Sequence, residues 1–136
     1  MEITNDLILA FTNTKFHVFF PAIVIEIGKR NEELDTLIKK DGQTEWAFLT
    51  AYNPYSKELT DKENLKRQSQ LLSKISGYKF YEGEGVGEDP TWKPERSILI
   101  VGITKNDAIS LGREFEQHAI VYGKINEVPE LIILKN

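Results

Sequence analysis

The run Ser97-Ile98-Leu99-Ile100-Val101 constrains this chain more than any other stretch. It lacks the alternation of apolar and polar positions that marks a half-exposed strand. As a strand it presents apolar side chains to both sides of a sheet and is expected to be buried on both. With 136 residues, 40% of them apolar, the chain can enclose one real core, whereas two domains would each sit near the lower limit for folding alone. No repeat, low-complexity tract or linker interrupts it, so residues 1–136 are expected to form a single domain.

Around that run the sequence predicts an ordered series of elements. A helix over Asn5–Asn13 carries Ile3, Leu7, Ala10 and Phe11 on one stripe. Two extended runs follow, Lys15–Phe20 and Ala22–Ile27, with Pro21 as the bend between them. A second helix, Asn31–Lys40, has Asn31 as its cap, acids in its first turn, lysines in its last, and Gly42 just beyond. Thr44–Tyr52 reads as a strand closed by Asn53-Pro54. Thr60-Asp61-Lys62-Glu63 is a capping box that opens a helix to about Ser76, with Leu65, Leu72 and Ile75 facing inward. Then come a strand over Tyr78–Glu82, a loop over Gly83–Pro90 and the apolar strand Arg96–Gly102. A helix capped by Thr104 or Asn106 runs to about Gln117, and two strands, Ala119–Gly123 and Glu130–Leu134, complete the order. The fold class expected is therefore α+β, a ferredoxin-like split βαβ core over about 44–134 with an N-terminal α-β-β-α extension, the alternative being another small mixed-sheet sandwich. In that core the strands ending at Asn53 and Gly102 are expected side by side and parallel. The helices beginning near Thr60 and Thr104 would then start at one edge, where their free amides suit an anion.

Composition removes several function classes. There are 17 Lys and Arg against 21 Asp and Glu, a net charge of −4, which argues against nucleic acid or an anionic membrane as partner. No apolar run has the length to span a bilayer, and acid stands near the N-terminus where a signal peptide carries base, so a cytoplasmic protein is expected. Without cysteine there is no disulfide, thiolate nucleophile or cysteine zinc site. His17 and His118 are the only histidines, and no His-Glu-x-x-His or Gly-x-Ser-x-Gly occurs. No metal site and no cofactor is expected.

What chemistry remains is spread over four places. Asn53 and Thr104 stand at the edge just described, either as ligand-orienting groups or as plain turn and cap residues. The glycine run Gly83–Gly87 is no phosphate loop, because no helix follows it and Glu82, Glu84, Glu88 and Asp89 would repel phosphate; an acidic connecting loop is expected, with a partner-facing loop or a weak oxygen-ligand cation site as the alternative. Trp92 and Glu95 precede the apolar strand, where they can either stack and accept from a ligand or close the core and pair with a lysine. On the last helix, Glu114 and His118 flank the buried stripe while Arg113 and Gln117 face outward; the Glu114–His118 pair is expected either to do general acid-base work near neutral pH or to be ordinary helix-end electrostatics. Gly112 within that helix implies close packing.

Three motifs together, Thr50-Ala51-Tyr52-Asn53-Pro54, Trp92-x-x-Glu95-x-Ser97 and Leu111-Gly112-Arg113-x-Phe115-x-Gln117-x-Ala119, resemble the bacterial family called domain of unknown function 3293. The similarity spans about residues 44–123. The chain departs from it with Tyr52 in place of Trp, and with Glu116 and His118 where the family often has Gly and Asn. The resemblance carries no activity with it, but it draws Asn53, Trp92, Glu95, Arg113 and Gln117 into one constellation, with the N-terminal extension as the segment that would complete a pocket.

Two readings of function follow, with a third possibility for assembly. In the first, a nucleotide-like or other anionic small molecule is bound or acted on: Asn53, Trp92, Thr104, Arg113 and Gln117 hold it and Glu95 serves as general base. In the second, the chain is a protein-interaction module, an adaptor, inhibitor or immunity-type protein, that uses the acidic stretch 82–89. A homodimer through the edge strand Leu131-Ile132-Ile133-Leu134 is the third, unless a helix covers that strand.

Overall fold

A computed structural model describes residues 3–134. Its helices are α1 (Asn5–Thr12), α2 (Glu32–Lys40), α3 (Asp61–Lys74) and α4 (Lys105–Glu114). The strands are β1 (Lys15–Val18), β2 (Ile23–Glu26), β3 (Glu45–Leu49), β4 (Lys79–Val86), β5 (Glu95–Val101), β6 (Ala119–Lys124) and β7 (Glu130–Ile133). All seven strands join one sheet in the order β2-β1-β4-β5-β3-β6-β7, and every pairing is antiparallel. Helix and antiparallel sheet together make the fold α+β.

The apolar run lies at the middle of this sheet. β5 pairs with β4 on one side and β3 on the other, and Ser97 through Val101 are all buried. Alternate residues serve opposite faces. Leu99 and Val101 join Trp46, Phe48 and the Leu34, Leu37 and Ile38 stripe of α2. Ile98 and Ile100 join Leu71 and Ile75 from α3 and the end of that helix, and Ala108 and Phe115 from α4 and its end. Each fully buried Leu or Ile here adds roughly 1.5–3 kcal/mol of hydrophobic stabilisation. The caps form where the sequence places them: Asn31, Thr60 and Thr104 each accept from an amide three residues on, and Thr60 with Glu63 completes the capping box.

Several expectations are corrected. β3 and β5 are neighbours but antiparallel, with Trp46 opposite Val101 and Leu49 opposite Ile98. The crossover through α3 returns β4 parallel to β3, and the reversal between β4 and β5 then turns β5 against both. The helices that follow β3 and β5 therefore begin at opposite ends of the sheet, so no shared anion-binding edge exists. The stretch Gly83–Val86 is strand and not loop, because β4 continues to pair with both β1 and β5. A Cβ on Gly83 would lie 2.0 Å from the carbonyl oxygen of His17, so glycine is what allows the two strands this close. The acidic stretch is split accordingly: Glu82 and Glu84 belong to a strand, and Glu88 and Asp89 to the turn beyond it. Leu65 is 56% exposed, while Asn64, Gln68 and Leu71 form the buried face of α3. Of the apolar residues at the edge strand β7, Ile132 and Leu134 lie against the α4 side of the core, and Leu131 lines the cavity described below. No helix among the described residues is long and apolar enough to cross a membrane.

Candidate functional site

The face of the sheet that carries α2 is only partly filled by it. Beyond α2 the strands enclose a cavity of about 650 Å³. Its floor is one strip of the sheet, Phe16, Phe48, Val121 and Leu131, placed by the register that sets Phe48 opposite Val121 and Val121 opposite Leu131. Gly85, opposite both Phe16 and Glu95, leaves room where another residue would project a side chain. One wall is α1. That helix buries no residue in the core, and its Leu7, Ala10 and Phe11 line the cavity instead. The apolar stripe read from the sequence thus faces a space and not a packed interior.

Asn53, Glu95, Trp92 and Gln117 also line this cavity, so four of the six site residues expected from the sequence meet at its polar end. Asn53 is held there by a loop in an uncommon backbone conformation. Asn53, Tyr55 and Ser56 all have positive φ, at 47°, 49° and 63°, a region that L residues other than Asn and Asp enter at a cost. Buried polar side chains hold the loop in place. The Asn53 amide N–H donates to Asn64 Oδ1 at 2.9 Å, and Asn64 Nδ2 donates back to Asn53 Oδ1 at 2.8 Å. Gln68 accepts from the Ala51 amide, Arg67 Nε donates to the Ala51 carbonyl, and Gln117 Nε2 donates to the Tyr52 carbonyl.

These bonds decide which way the Asn53 side chain points. Its Oδ1 takes the Leu59 amide at 3.0 Å as well as Asn64, so its Nδ2 must face the other way, and it donates to Glu95 Oε2 at 2.7 Å. The orientation follows from fixed backbone donors and is not free to flip. Glu95 also accepts from the side chain of Trp92. Burial pushes the Glu95 carboxyl above the ordinary range, against the opposing pull of the Asn53 and Trp92 hydrogen bonds. No Lys or Arg among the described residues pairs with it. The neighbouring Arg96 is taken up elsewhere, with its guanidinium over the Phe19 ring at 5.4 Å.

Helix α4 ends earlier than its apolar periodicity implies, and this moves two side chains. Glu116 takes a left-handed φ of 56°. Its amide donates to the Arg113 carbonyl and that of Gln117 to the Gly112 carbonyl, which is the hydrogen-bond pattern of a Schellman terminator. Gln117 and His118 therefore leave the helical wheel and turn inward; Gln117, expected to face outward, is buried. His118, expected either to pair with Glu114 for acid-base work or to serve local helix-end electrostatics, is 1% exposed, borders the cavity, and has no hydrogen-bond partner on either ring nitrogen. Its ring sits 5.4 Å from that of Tyr55. The signal for it was the mismatch between a histidine and an element about to end, which helical periodicity conceals.

The other two expected residues lie apart. Thr104 caps α4 through the Asp107 amide, at the end of β5 away from Glu95. Arg113 is exposed on α4 and does not line the cavity. Among the described residues, the lining carries four carboxylates, Asp6, Glu88, Asp89 and Glu95, and no Lys or Arg. No group of three or more His, Asp or Glu is arranged to hold a metal ion among these residues.

Residues 49–120, just over half of the chain, match the model of the family described as Protein of unknown function (DUF3293). The chain belongs to this family. The matched span begins in β3 and ends in β6. It therefore contains Asn53, Trp92, Glu95, Gln117 and His118, whereas α1 and β1 of the cavity lie before it and β7 after it. No curated protein and no solved structure matches the chain.

Proposed function

We propose that this DUF3293 protein binds an organic small molecule in the cavity between α1 and the sheet. The reading rests on one observation: an apolar-floored cavity of ligand size, about 650 Å³, ends at the fixed Asn53–Glu95 hydrogen bond. Ligand sites are mostly apolar concavities with a few placed polar groups, and this one has that composition. Asn53 and Gln117 fix the polar end, Trp92 stands at the rim, and Glu95 is the group through which a bound molecule exchanges a proton. The strand order β4-β5-β3-β6, with α3 and α4 on one face, supports reading that part as the expected ferredoxin-like core. In that reading the N-terminal extension covers its other face and creates the cavity.

An anionic or nucleotide-like ligand draws less support than the sequence promised. Four carboxylates line the space, and the two groups meant to meet negative charge, Thr104 and Arg113, lie elsewhere. Support for an acidic docking loop also weakens, since Glu82 and Glu84 are strand residues.

The test is a thermal-shift panel of neutral, cationic and anionic ring compounds, nucleotides included, on the wild-type chain and on Gly85→Leu. The strand backbone accepts a side chain at Gly85, where a Cβ would lie 3.7 Å from its nearest neighbour, and leucine there occupies the cavity. A ligand at about 100 times its Kd adds roughly 2.7 kcal/mol of stability to the wild type, and the shift is expected to vanish in Gly85→Leu. No hit on the wild type, or hits that persist in the variant, would overturn the reading.

A further inference from the structure

The polar end of the cavity has an imbalance of charge, and it says what the cavity is for. Buried or half-buried charges in proteins are paired. Glu95 has two donors, the Asn53 amide and the Trp92 side chain, whereas an ionised carboxylate offers about four acceptor positions. No cation among the described residues supplies the remainder, and the adjacent Arg96 is engaged with Phe19. The same sign of charge recurs around the opening. Asp6 stands on α1, and Glu88 and Asp89 on the turn after β4. Asp89 is held below the ordinary carboxylate range by the Thr91 hydroxyl and amide, so it stays ionised. A cleft lined by one sign of charge and walled by apolar side chains concentrates ligands of the opposite sign. The lining adds a second preference: Phe11 of α1 and the rim residue Trp92 present rings, which suit an apolar body and attract a cationic head through their π faces.

We propose that the ligand is an organic cation, an apolar ring or branched body bearing an amine, amidine or guanidine head that completes the hydrogen bonding of Glu95. The proposal rests on the small-molecule reading of the same cavity and adds the chemical class. The ligand's N–H groups take the free acceptor positions of the Glu95 carboxylate, Asn53 and Trp92 hold that carboxylate in place, and the body lies over Phe16, Phe48, Val121 and Leu131. Asp6, Glu88 and Asp89 steer the cation in without touching it.

Four probes of nearly equal size separate charge from shape: benzamidine, benzylamine, benzyl alcohol and benzoate, each titrated by calorimetry at pH 8 into the wild-type chain, Glu95→Gln and Glu88→Gln/Asp89→Asn. The expected result is saturable binding of benzamidine and benzylamine at least tenfold tighter than that of benzyl alcohol or benzoate. Glu95→Gln should weaken benzamidine at least tenfold, and the double rim variant about threefold, with a reduced salt dependence. Benzyl alcohol or benzoate binding as tightly as benzamidine would overturn the cation assignment, and so would benzamidine binding unchanged in a folded Glu95→Gln. The small-molecule reading would survive either result if Gly85→Leu abolished the binding. Should Glu95→Gln not fold, the rim variant and the salt dependence carry the test alone. Failure of all four probes overturns the cation assignment, while the broader panel on Gly85→Leu decides the fate of the cavity itself.

Discussion

At the scale of single residues, the site is made by backbone conformations that side chains have to hold. Asn53 has a left-handed backbone, accepts from Leu59 and Asn64, and donates to Glu95; the residue type was legible, but which partner each amide atom meets was not. Glu116 shows the same tension without a site to justify it. It occupies the left-handed position after α4, where glycine is the usual terminator and where the family resemblance itself implies Gly. Glu116→Gly is therefore expected to stabilise the protein by about 1 kcal/mol, because the left-handed cost of a Cβ disappears. The exposed Arg67–Glu116 ion pair at 3.4 Å returns only a few tenths of that when lost. Urea denaturation checks this, and a midpoint that falls would count against the argument.

Elements were easier to find than their faces. The capping box at Thr60 and the apolar run of β5 announce themselves in the sequence, since each depends on residues three or four apart or fewer. The inward face of α3 did not. Counting leucines points to Leu65, yet Asn64 and Gln68 are buried because they satisfy the backbone of a loop that folds over them, and that need is invisible until the loop is in place. Gly112 was legible as a packing glycine, and its neighbours explain why. A Cβ there would come within 2.5 Å of Leu134 Cδ1 and 2.8 Å of Ile120 Cγ2. Gly112→Ala gains about 1 kcal/mol of helix propensity but incurs overpacking of roughly 1–3 kcal/mol. The expected net is a loss of about 1 kcal/mol, seen as a lower urea midpoint; a stabilised variant would mean that β7 yields freely.

For the molecule as a whole, the consequence of the half-filled sheet is a carboxyl kept in a poor solvent. Burial raises the folded-state pKa of Glu95 above its unfolded value, so folding binds this proton more tightly, and ionising the group opposes the folded state. The cost is absent below the unfolded pKa, grows as pH rises, and is complete above the folded pKa. The surrounding titratable groups are Asp6 from α1, Glu88 and Asp89 from the turn after β4, and His118 after α4. Removing the titration with Glu95→Gln should shift stability in favour of the variant as pH rises above the ordinary carboxylate range, until the folded carboxyl is fully ionised, as read from paired denaturation curves. A difference between variant and wild type that is flat with pH would refute the buried-carboxyl account. The four acids that looked like one acidic loop in the chain divide between a strand and the cavity rim, because pairing with β1 and β5 carries β4 four residues further than its composition implied.

What the sequence determined by itself is local: the central apolar strand, the helix caps, the α+β class, and the residue types that later gather at the polar end. These depend on the period of the backbone and on bonds between near neighbours, which a linear chain displays directly. The tertiary structure alone decided that β3 and β5 run antiparallel, that Gln117 and His118 turn inward, that Thr104 and Arg113 stand away from Asn53, and that α1 walls a space instead of packing into the core. Each of those outcomes depends on where distant segments meet once crossovers and reversals are laid down. A cavity is the extreme case, since it is defined by atoms that do not fill it, and no stretch of residues encodes an unfilled volume.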